Sequence, residues 1–377
     1  MSLRDLVMRS AKHTPETLAV KGADKSMTYA ELDSLANRFA RVLIQFGVRR
    51  GDCVGIWLEK STSVVVAMQA ALRLGAIYVP LDPLSPAARI RTILRDCSVQ
   101  VLVTTQRRAE AALVGQDDLQ NVISFCVDGT TPELNWNALF TFSDEPIDGP
   151  TPADDEVAYI LYTSGSTGKP KGVCISNRNA LAFIEWAAEM LQARPGDRFA
   201  NHAPFHFDLS VLDLYVAFHV GAAVFLIPDG ISFLPRRLVT FIMQEELTIW
   251  YSVPSVLVLM MEQGGLLDAE FLPLRAILFA GEPFPIKHLR RLYERWQAIR
   301  FLNLYGPTET NVCTFYEVKE ISRDRTQPVP IGCACSGDRV WAQKDDGTIA
   351  NPGEEGELMV SGPTVMIGYW GQPKRED

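Results

Sequence analysis

No stretch of this sequence approaches the ~18 uninterrupted apolar residues that a membrane-spanning helix needs. The start, Met1-Ser2-Leu3-Arg4-Asp5-Leu6, carries charge and lacks the apolar core of a secretory signal. Positive charge is not in excess either: 36 Lys and Arg face 45 Asp and Glu, for a net charge of −9. That balance excludes general attraction to nucleic acid or anionic membranes and leaves room only for a local basic patch. Seven cysteines, Cys53, Cys97, Cys126, Cys174, Cys313, Cys333 and Cys335, are odd in number and widely spread, so they do not compose a disulfide framework. They read as reduced core thiols of a cytoplasmic protein. Cys333 and Cys335 stand two apart without a matching pair, which leaves zinc short of ligands. His202 and His206 are four apart, but Pro204 between them breaks the helix on which they could share a face.

What is there is an ordinary globular composition, 47% hydrophobic and 21% charged over 377 residues, enough for two or three folding units. Short apolar strands alternate with amphipathic helices, the mark of an α/β fold with a mostly parallel sheet. Strands read at 52–57, 77–80 and 99–104, and helices at 61–74 and 85–96. The same order returns with strands at 198–201, 223–227 and 248–251 and helices at 211–220 and 235–246. Gly75-Ala76-Ile77-Tyr78-Val79 parallels Gly221-Ala222-Ala223-Val224-Phe225 at an offset of about 146 residues. Either two related layers or a chance likeness of two α/β units gives this. From Lys319 onward helical periodicity stops, Gly and Pro become frequent, and Asp346-Gly347 marks a hairpin between Trp341 and Ile349. The expected architecture is two related, mostly parallel α/β layers, residues 1–190 and 191–318. A small, incomplete, β-barrel-like subdomain over 319–377 follows them.

Residues 157–162, Val-Ala-Tyr-Ile-Leu-Tyr, read as a buried strand. It runs into Thr163-Ser164-Gly165-Ser166-Thr167-Gly168-Lys169-Pro170-Lys171-Gly172, and a helix over 179–191 follows. Glycines let a backbone approach an anion, and exposed amides form an anion nest. Hydroxyls add donors and the lysines add charge, so the composition suits a polyphosphate. A flexible Ser/Gly linker is the other reading of composition alone. The loop is not a Walker A motif: Pro170 follows Lys169, and Thr163 stands where the first glycine belongs. Farther on, Tyr305-Gly306-Pro307-Thr308-Glu309 follows a strand over 300–304, and the carboxyl end of a parallel strand is where α/β ligands sit.

In order, the ten-residue loop is joined by Phe207-Asp208-Leu209-Ser210, Ala280-Gly281-Glu282, Asn303-Leu304-Tyr305-Gly306-Pro307-Thr308-Glu309, and Gly356-Glu357-Leu358 with Gly368-Tyr369. This set resembles the signatures of the adenylate-forming superfamily, which holds acyl-CoA synthetases, luciferases and peptide-synthetase adenylation domains. Met27-Thr28-Tyr29-Ala30-Glu31-Leu32 is similar to that family's early helix entry. The resemblance runs over essentially the whole chain and is to the large N-terminal domain. It implies that Thr163, Ser164, Gly165, Ser166, Thr167, Gly168 and Lys169 cradle the phosphates of ATP. It implies that Lys171, Thr308 and Glu309 are catalytic, with Thr308 on the α-phosphate and Glu309 the Mg²⁺ ligand, a hard oxygen donor for a hard ion. Tyr305 faces the adenine opposite Gly281, Glu282 and Pro283, Asn303 reads its amino edge, and Gly306 belongs to the same nucleotide site. The implied reaction is attack of a substrate carboxylate on the α-phosphate, so no nucleophilic Ser or Cys and no Ser-His-Asp set is expected.

In the peptide-synthetase branch an Asp at position 208 pairs with a substrate α-ammonium, which favours an amino acid; Asp208 as a plain helix N-cap is the alternative. The resemblance assigns the rest of the pocket to Leu209, Leu212, Tyr251, Leu278, Ala280, Leu304, Val312 and Cys313, each of which, taken singly, also reads as core. With no charge beside Asp208, a charged substrate side chain would be buried unpaired. The set is similar to that of proline-adenylating members. These load L-proline onto the phosphopantetheine arm of a peptidyl carrier protein in natural-product biosynthesis. Valine or pipecolate differ by only ~1–3 kcal/mol per methylene. An acyl- or aryl-CoA ligase and a catalytically incompetent binding core are the competing readings. The family's following Thr-Gly-Asp motif and its small C-terminal lid with a catalytic lysine do not occur before Asp377. Weak turnover and no thioester formation are therefore expected of this chain alone.

Overall fold

Two strand-helix-strand runs set the architecture. In each, a helix ends at a glycine in the left-handed region, Gly75 (φ 66°) or Gly221 (φ 74°). The chain then drops into a fully buried strand, Ile77–Pro80 or Ala223–Leu226. The parallel between the two glycine junctions is therefore structural as well as textual. The computed structural model describes residues 1–131, 134–147, 149, 152–164 and 169–372.

Among these residues one sheet has seven strands, in the order Gly368–Tyr369, Pro170–Ser176, Val157–Ser164, Ile77–Pro80, Cys53–Ile56, Val101–Thr104, Ile123–Cys126. The other has nine: Cys333–Ala334, Thr314–Val318, Arg300–Tyr305, Ala276–Phe279, Ile249–Ser252, Arg198–Asn201, Ala223–Leu226, Leu18–Lys21, Ser26–Thr28. Most neighbouring strands are parallel; antiparallel pairs gather toward the Gly368–Tyr369 end of one sheet and both ends of the other, as expected for an α/β fold with mostly parallel sheets. Central strands covered on both faces are buried at every position and nearly all apolar.

Sheet membership does not follow boundaries at 190/191 and 318/319. Leu18–Lys21 lies beside Ala223–Leu226, with Val20 paired to Val224, so the N-terminal region closes an edge of the nine-stranded sheet. Gly368–Tyr369 crosses back to the seven-stranded sheet. Only Arg339–Gln343 and Glu357–Ser361 stand apart, as a two-stranded ladder. The turn at Asp346-Gly347 does form, with Gly347 at φ 83° and a bridge from Gln343 to Ile349. However, the ladder partner of Arg339–Gln343 is Glu357–Ser361, because the longer apolar match lies there. The helix expected over 211–220 begins at Leu209 and passes through a π-turn at Leu212–Val216.

The facing sides of the two sheets share one core. Tyr78 and Tyr159 come from one sheet, Tyr251, Leu278, Leu302 and Leu304 from the other, and Tyr215 from the π-turn. Tyr78 stacks on Tyr159 at 5.2 Å, and the Tyr215 hydroxyl donates to that of Tyr78 at 2.9 Å. The far face of the nine-stranded sheet, with Trp250, Ile277, Phe279 and Phe301, packs on helices Pro235–Gln244, Pro254–Gln263 and Ile286–Arg295 through Leu238, Leu257 and Leu289. Each such side chain contributes roughly 1.5–3 kcal/mol by leaving water. Six of the seven cysteines are buried, and all seven are free thiols. Among the described residues no helix is long and apolar enough to cross a membrane.

Candidate active site

The phosphate-loop candidate is the connection of an antiparallel hairpin. Val157–Ser164 pairs with Pro170–Ser176, with Thr163 opposite Lys171 and Ser164 opposite Pro170. A strand thus intervenes before the helix, which starts at Asn177. The expectation of a loop leading directly to a helix missed it, since Pro-Lys-Gly at its start reads as turn. Gly165, Ser166, Thr167 and Gly168 lie outside the described residues. Gly172 must be glycine: a Cβ there would stand 2.8 Å from Ile160 and 3.2 Å from the Trp370 Cβ. Trp370 comes that close because its amide donates to the Gly172 carbonyl at 2.7 Å, while the Ile367 amide donates to the Cys174 carbonyl at 3.1 Å.

The second component follows strand Arg300–Tyr305. Its alternation divides the labour. Leu302 and Leu304 face the shared core and Phe301 the helices, so Asn303 and Tyr305 project on the Phe301 side. Tyr305 is 40% exposed, a free aromatic face. The Asn303 amide NH₂ donates to the Pro330 carbonyl at 2.8 Å, which orients the side chain and leaves its oxygen as the open acceptor. Gly281, Glu282 and Pro283 leave the neighbouring strand, Ala276–Phe279, whose Phe279 pairs with Asn303, and all three are exposed. The Glu282 carboxylate is engaged by the Ser255 amide at 2.6 Å, at the start of helix Pro254–Gln263. Gly306 allows the tight return to Cys313: its hypothetical Cβ would fall 1.8 Å from the Asn311 carbonyl oxygen. The Cys313 amide donates to the Tyr305 carbonyl at 2.9 Å.

Asp208 meets this loop from the opposite side. It stands at the N-cap position of the helix that begins at Leu209, with no side-chain capping bond into the first turn. Its carboxyl sits deep among protein atoms yet keeps some accessible surface. Burial pushes it above the usual carboxylate range; the Thr308 hydroxyl and the Leu209 amide pull it down, and the charge of Glu309 adds to the rise. Asp208, Thr308 and Glu309 are therefore neighbours. The same carboxylate raises the phenols of the buried Tyr159 and Tyr251, after desolvation itself. Leu212, Tyr251, Leu278, Ala280, Leu304 and Val312 belong to the buried cluster shared by the two sheets, with half-buried Leu209 packed against it. Tyr251 and Leu278 are opposite in register. Cys313, fully buried, gives its thiol to the Tyr305 carbonyl at 3.5 Å. An open cleft bordered by Tyr162, Thr163, His206, Phe207 and Thr308 leads to this point, with Phe207 55% exposed at its mouth.

Glu309 and Lys171 complete the picture. One oxygen of Glu309 accepts from the Tyr369 hydroxyl at 2.7 Å, and the Lys171 ammonium lies 5.0 Å from the Tyr369 ring centre. The second Glu309 oxygen has no protein partner among the described residues, so a hard cation finds an anionic oxygen donor beside the Thr308 hydroxyl. Tyr369 had no assigned role in the sequence beyond its motif. Lys60 gave no signal at all, yet its ammonium donates to the Asn201 and His202 carbonyls at 2.9 and 2.8 Å, steadying the loop that carries Asp208.

Comparison with known proteins gives the family. The family described as AMP-binding enzyme matches residues 7–370. The chain is 50% identical over 376 residues to an L-proline--[L-prolyl-carrier protein] ligase of Pseudomonas fluorescens, covering 99% of this chain and 74% of that protein. It is 40% identical over 375 residues to a ligase of the same description from Streptomyces coelicolor, covering 96% and 69%. The solved structure of the nonribosomal peptide synthetase FmoA3 superposes with a TM-score of 0.87 at 26% identity, over the whole of this chain. This chain spans 39% of that solved chain's length. With one family pattern running through both sheets and the crossing strand that joins them, the chain belongs to the AMP-binding enzyme family.

Proposed function

We propose that this chain activates L-proline with ATP, giving prolyl-adenylate and pyrophosphate, ahead of transfer to the phosphopantetheine thiol of a carrier protein in the cytoplasm. The observation that carries the reading is Asp208: a deep-set carboxylate beside Thr308 and Glu309, close enough to the Tyr251 phenol to act on it. A desolvated carboxylate needs a cation, and an amino acid supplies one next to its own carboxylate. The residues assigned to the side-chain pocket are apolar, which suits a small apolar ring, and the two relatives named above are L-proline ligases by name.

In the reaction, one oxygen of the proline carboxylate forms a bond to the α-phosphorus. The bond from that phosphorus to the bridging oxygen breaks, and pyrophosphate leaves with the electron pair. No proton moves in this step, so positioning and charge neutralisation do the catalysis. Asp208 holds the ammonium and Tyr251, Leu278 and Leu304 hold the ring. Tyr305 supports the adenine while the Asn303 oxygen accepts from its amino group. Thr163, Ser164, Lys169 and Lys171 surround the phosphates, and Thr308 donates toward the α-phosphate. Glu309 would hold Mg²⁺, which when bound would supply positive charge to offset that of the phosphates.

ATP–pyrophosphate exchange over a panel of amino acids, aryl acids and fatty acids tests this. Proline is expected to be the best substrate. Faster exchange with an aryl or fatty acid overturns the reading in favour of a CoA ligase. ATP binding without exchange on any acid overturns it in favour of a binding core.

A further inference from the structure

We propose that Tyr369 is a positioning residue that holds Glu309 and Lys171 apart and in register, so that the carboxylate stays available to a metal and the ammonium to phosphate. This rests on the reading of Glu309 as a metal ligand. Lys171 and Glu309 are opposite charges at one site, and neither forms an ion pair among the described residues. The Tyr369 hydroxyl donates to one Glu309 oxygen at 2.7 Å, and its ring takes the Lys171 ammonium at 5.0 Å, within cation–π range. A direct ion pair would neutralise both groups before substrates arrive. One aromatic side chain replaces it with two weaker contacts, each to a different part of the ring system.

Tyr369 is itself fixed at both ends. The Met366 amide donates to the Glu309 carbonyl at 2.7 Å, tying the start of the segment to the carboxylate's own backbone. Tyr369 pairs with Val173, and the Trp370 amide closes on Gly172, next in sequence to Lys171. The segment 366–370 therefore spans from one charged group to the other, and the close approach at Gly172 leaves no slack. A hydroxyl that orients a ligating carboxylate typically changes metal affinity by 10–100-fold.

The test is calorimetric titration of the chain with a non-hydrolysable ATP analogue, with and without Mg²⁺, on wild type, Tyr369→Phe, Tyr369→Leu, Glu309→Gln and the Tyr369→Phe/Glu309→Gln double variant. Wild type is expected to bind more tightly with Mg²⁺. Tyr369→Phe keeps the ring and is expected to lose roughly tenfold of that gain, with metal-free binding unchanged. Tyr369→Leu is expected to weaken metal-free binding as well, because Lys171 loses its platform. The double variant is expected to bind no more weakly than Glu309→Gln. Wild-type binding indifferent to Mg²⁺ overturns the reading of Glu309. A Mg²⁺ gain in wild type that Tyr369→Phe retains in full, or additive losses in the double variant, overturns the role of Tyr369 alone.

Discussion

Replacing Asp208 by Asn separates two consequences that a merely structural carboxylate would not separate. The substitution keeps shape and removes charge. If Asp208 pairs with the ammonium of proline, losing it leaves that cation uncompensated in a desolvated site. Breaking one side of a buried pair costs about 3–5 kcal/mol, and the residual accessibility of Asp208 points to the lower end. About 3 kcal/mol corresponds to a roughly hundredfold fall in kcat/KM for proline. The unliganded protein should respond in the opposite direction. The folded-state pKa of Asp208 is raised, first by burial. Its contribution to stability is thus present below the unfolded value of about 3.9 and lost as pH rises through the folded value. At neutral pH the bare charge is destabilising, and Asp208→Asn is expected to raise Tm by about 1–2 °C. Pyrophosphate exchange gives the first quantity and calorimetry the second. Cyclopentanecarboxylate, which has the ring and carboxylate but no ammonium, is the control, and its competitive inhibition should not weaken in the variant. Unchanged kcat/KM for proline, or an equal loss for proline and cyclopentanecarboxylate, refutes the pairing.

Two further outcomes follow from the loops around the site. Gly306→Ala is expected to lower exchange about 100-fold with the fold retained, because the new Cβ collides with the Asn311 carbonyl and shifts Thr308 and Glu309 by about an ångström. Unchanged exchange with an unchanged circular dichroism spectrum would refute that geometry. Lys60→Met is expected to cost about 1–3 kcal/mol in urea denaturation by leaving two carbonyls without their donor. Burial brings the Lys60 ammonium down to about 8 against the pull of Asp229 and Asp213. Its contribution is lost as pH falls through that value and grows from there toward the unfolded value of about 10.4. The gap between wild type and variant should therefore widen from pH 7.5 to 9.5; a constant gap refutes the shift.

The parts of this molecule that were legible in the sequence are those where local pattern and burial agree. Ile77–Pro80 and Ala223–Leu226 are covered on both faces, so they read as apolar runs after a helix-ending glycine. Asp208 and Tyr305 through Glu309 stand out in the sequence only through their resemblance to the family's ordered motifs. The strand Pro170–Ser176 was not legible, since its first residues are turn formers and only its partner in the hairpin makes it a strand. Tyr369 was legible as a motif letter and illegible as a contact: its strand is two residues long and its partner Glu309 lies in a distant loop. Lys60 is an ordinary surface lysine by sequence, and only tertiary packing turns it toward the Asn201 and His202 carbonyls. The apolar pocket residues could not be told from core, because they are core, contiguous with the packing between the two sheets.

The pairing of Val20 with Val224 has a consequence for synthesis. The inner strands of the seven-stranded sheet all come from one continuous stretch, residues 53–176, and can zip as they emerge. The edge of the nine-stranded sheet cannot. Leu18–Lys21 is made well before Ala223–Leu226, its partner on the sheet side, which follows roughly 10–40 s later at 5–20 residues per second. For that interval an apolar strand edge, already turned back on Ser26–Thr28, waits beside a helix that its own capping box at Thr28 and Glu31 can start early. A segment made early is thus buried late, and this edge needs shielding until Ala223–Leu226 has been made.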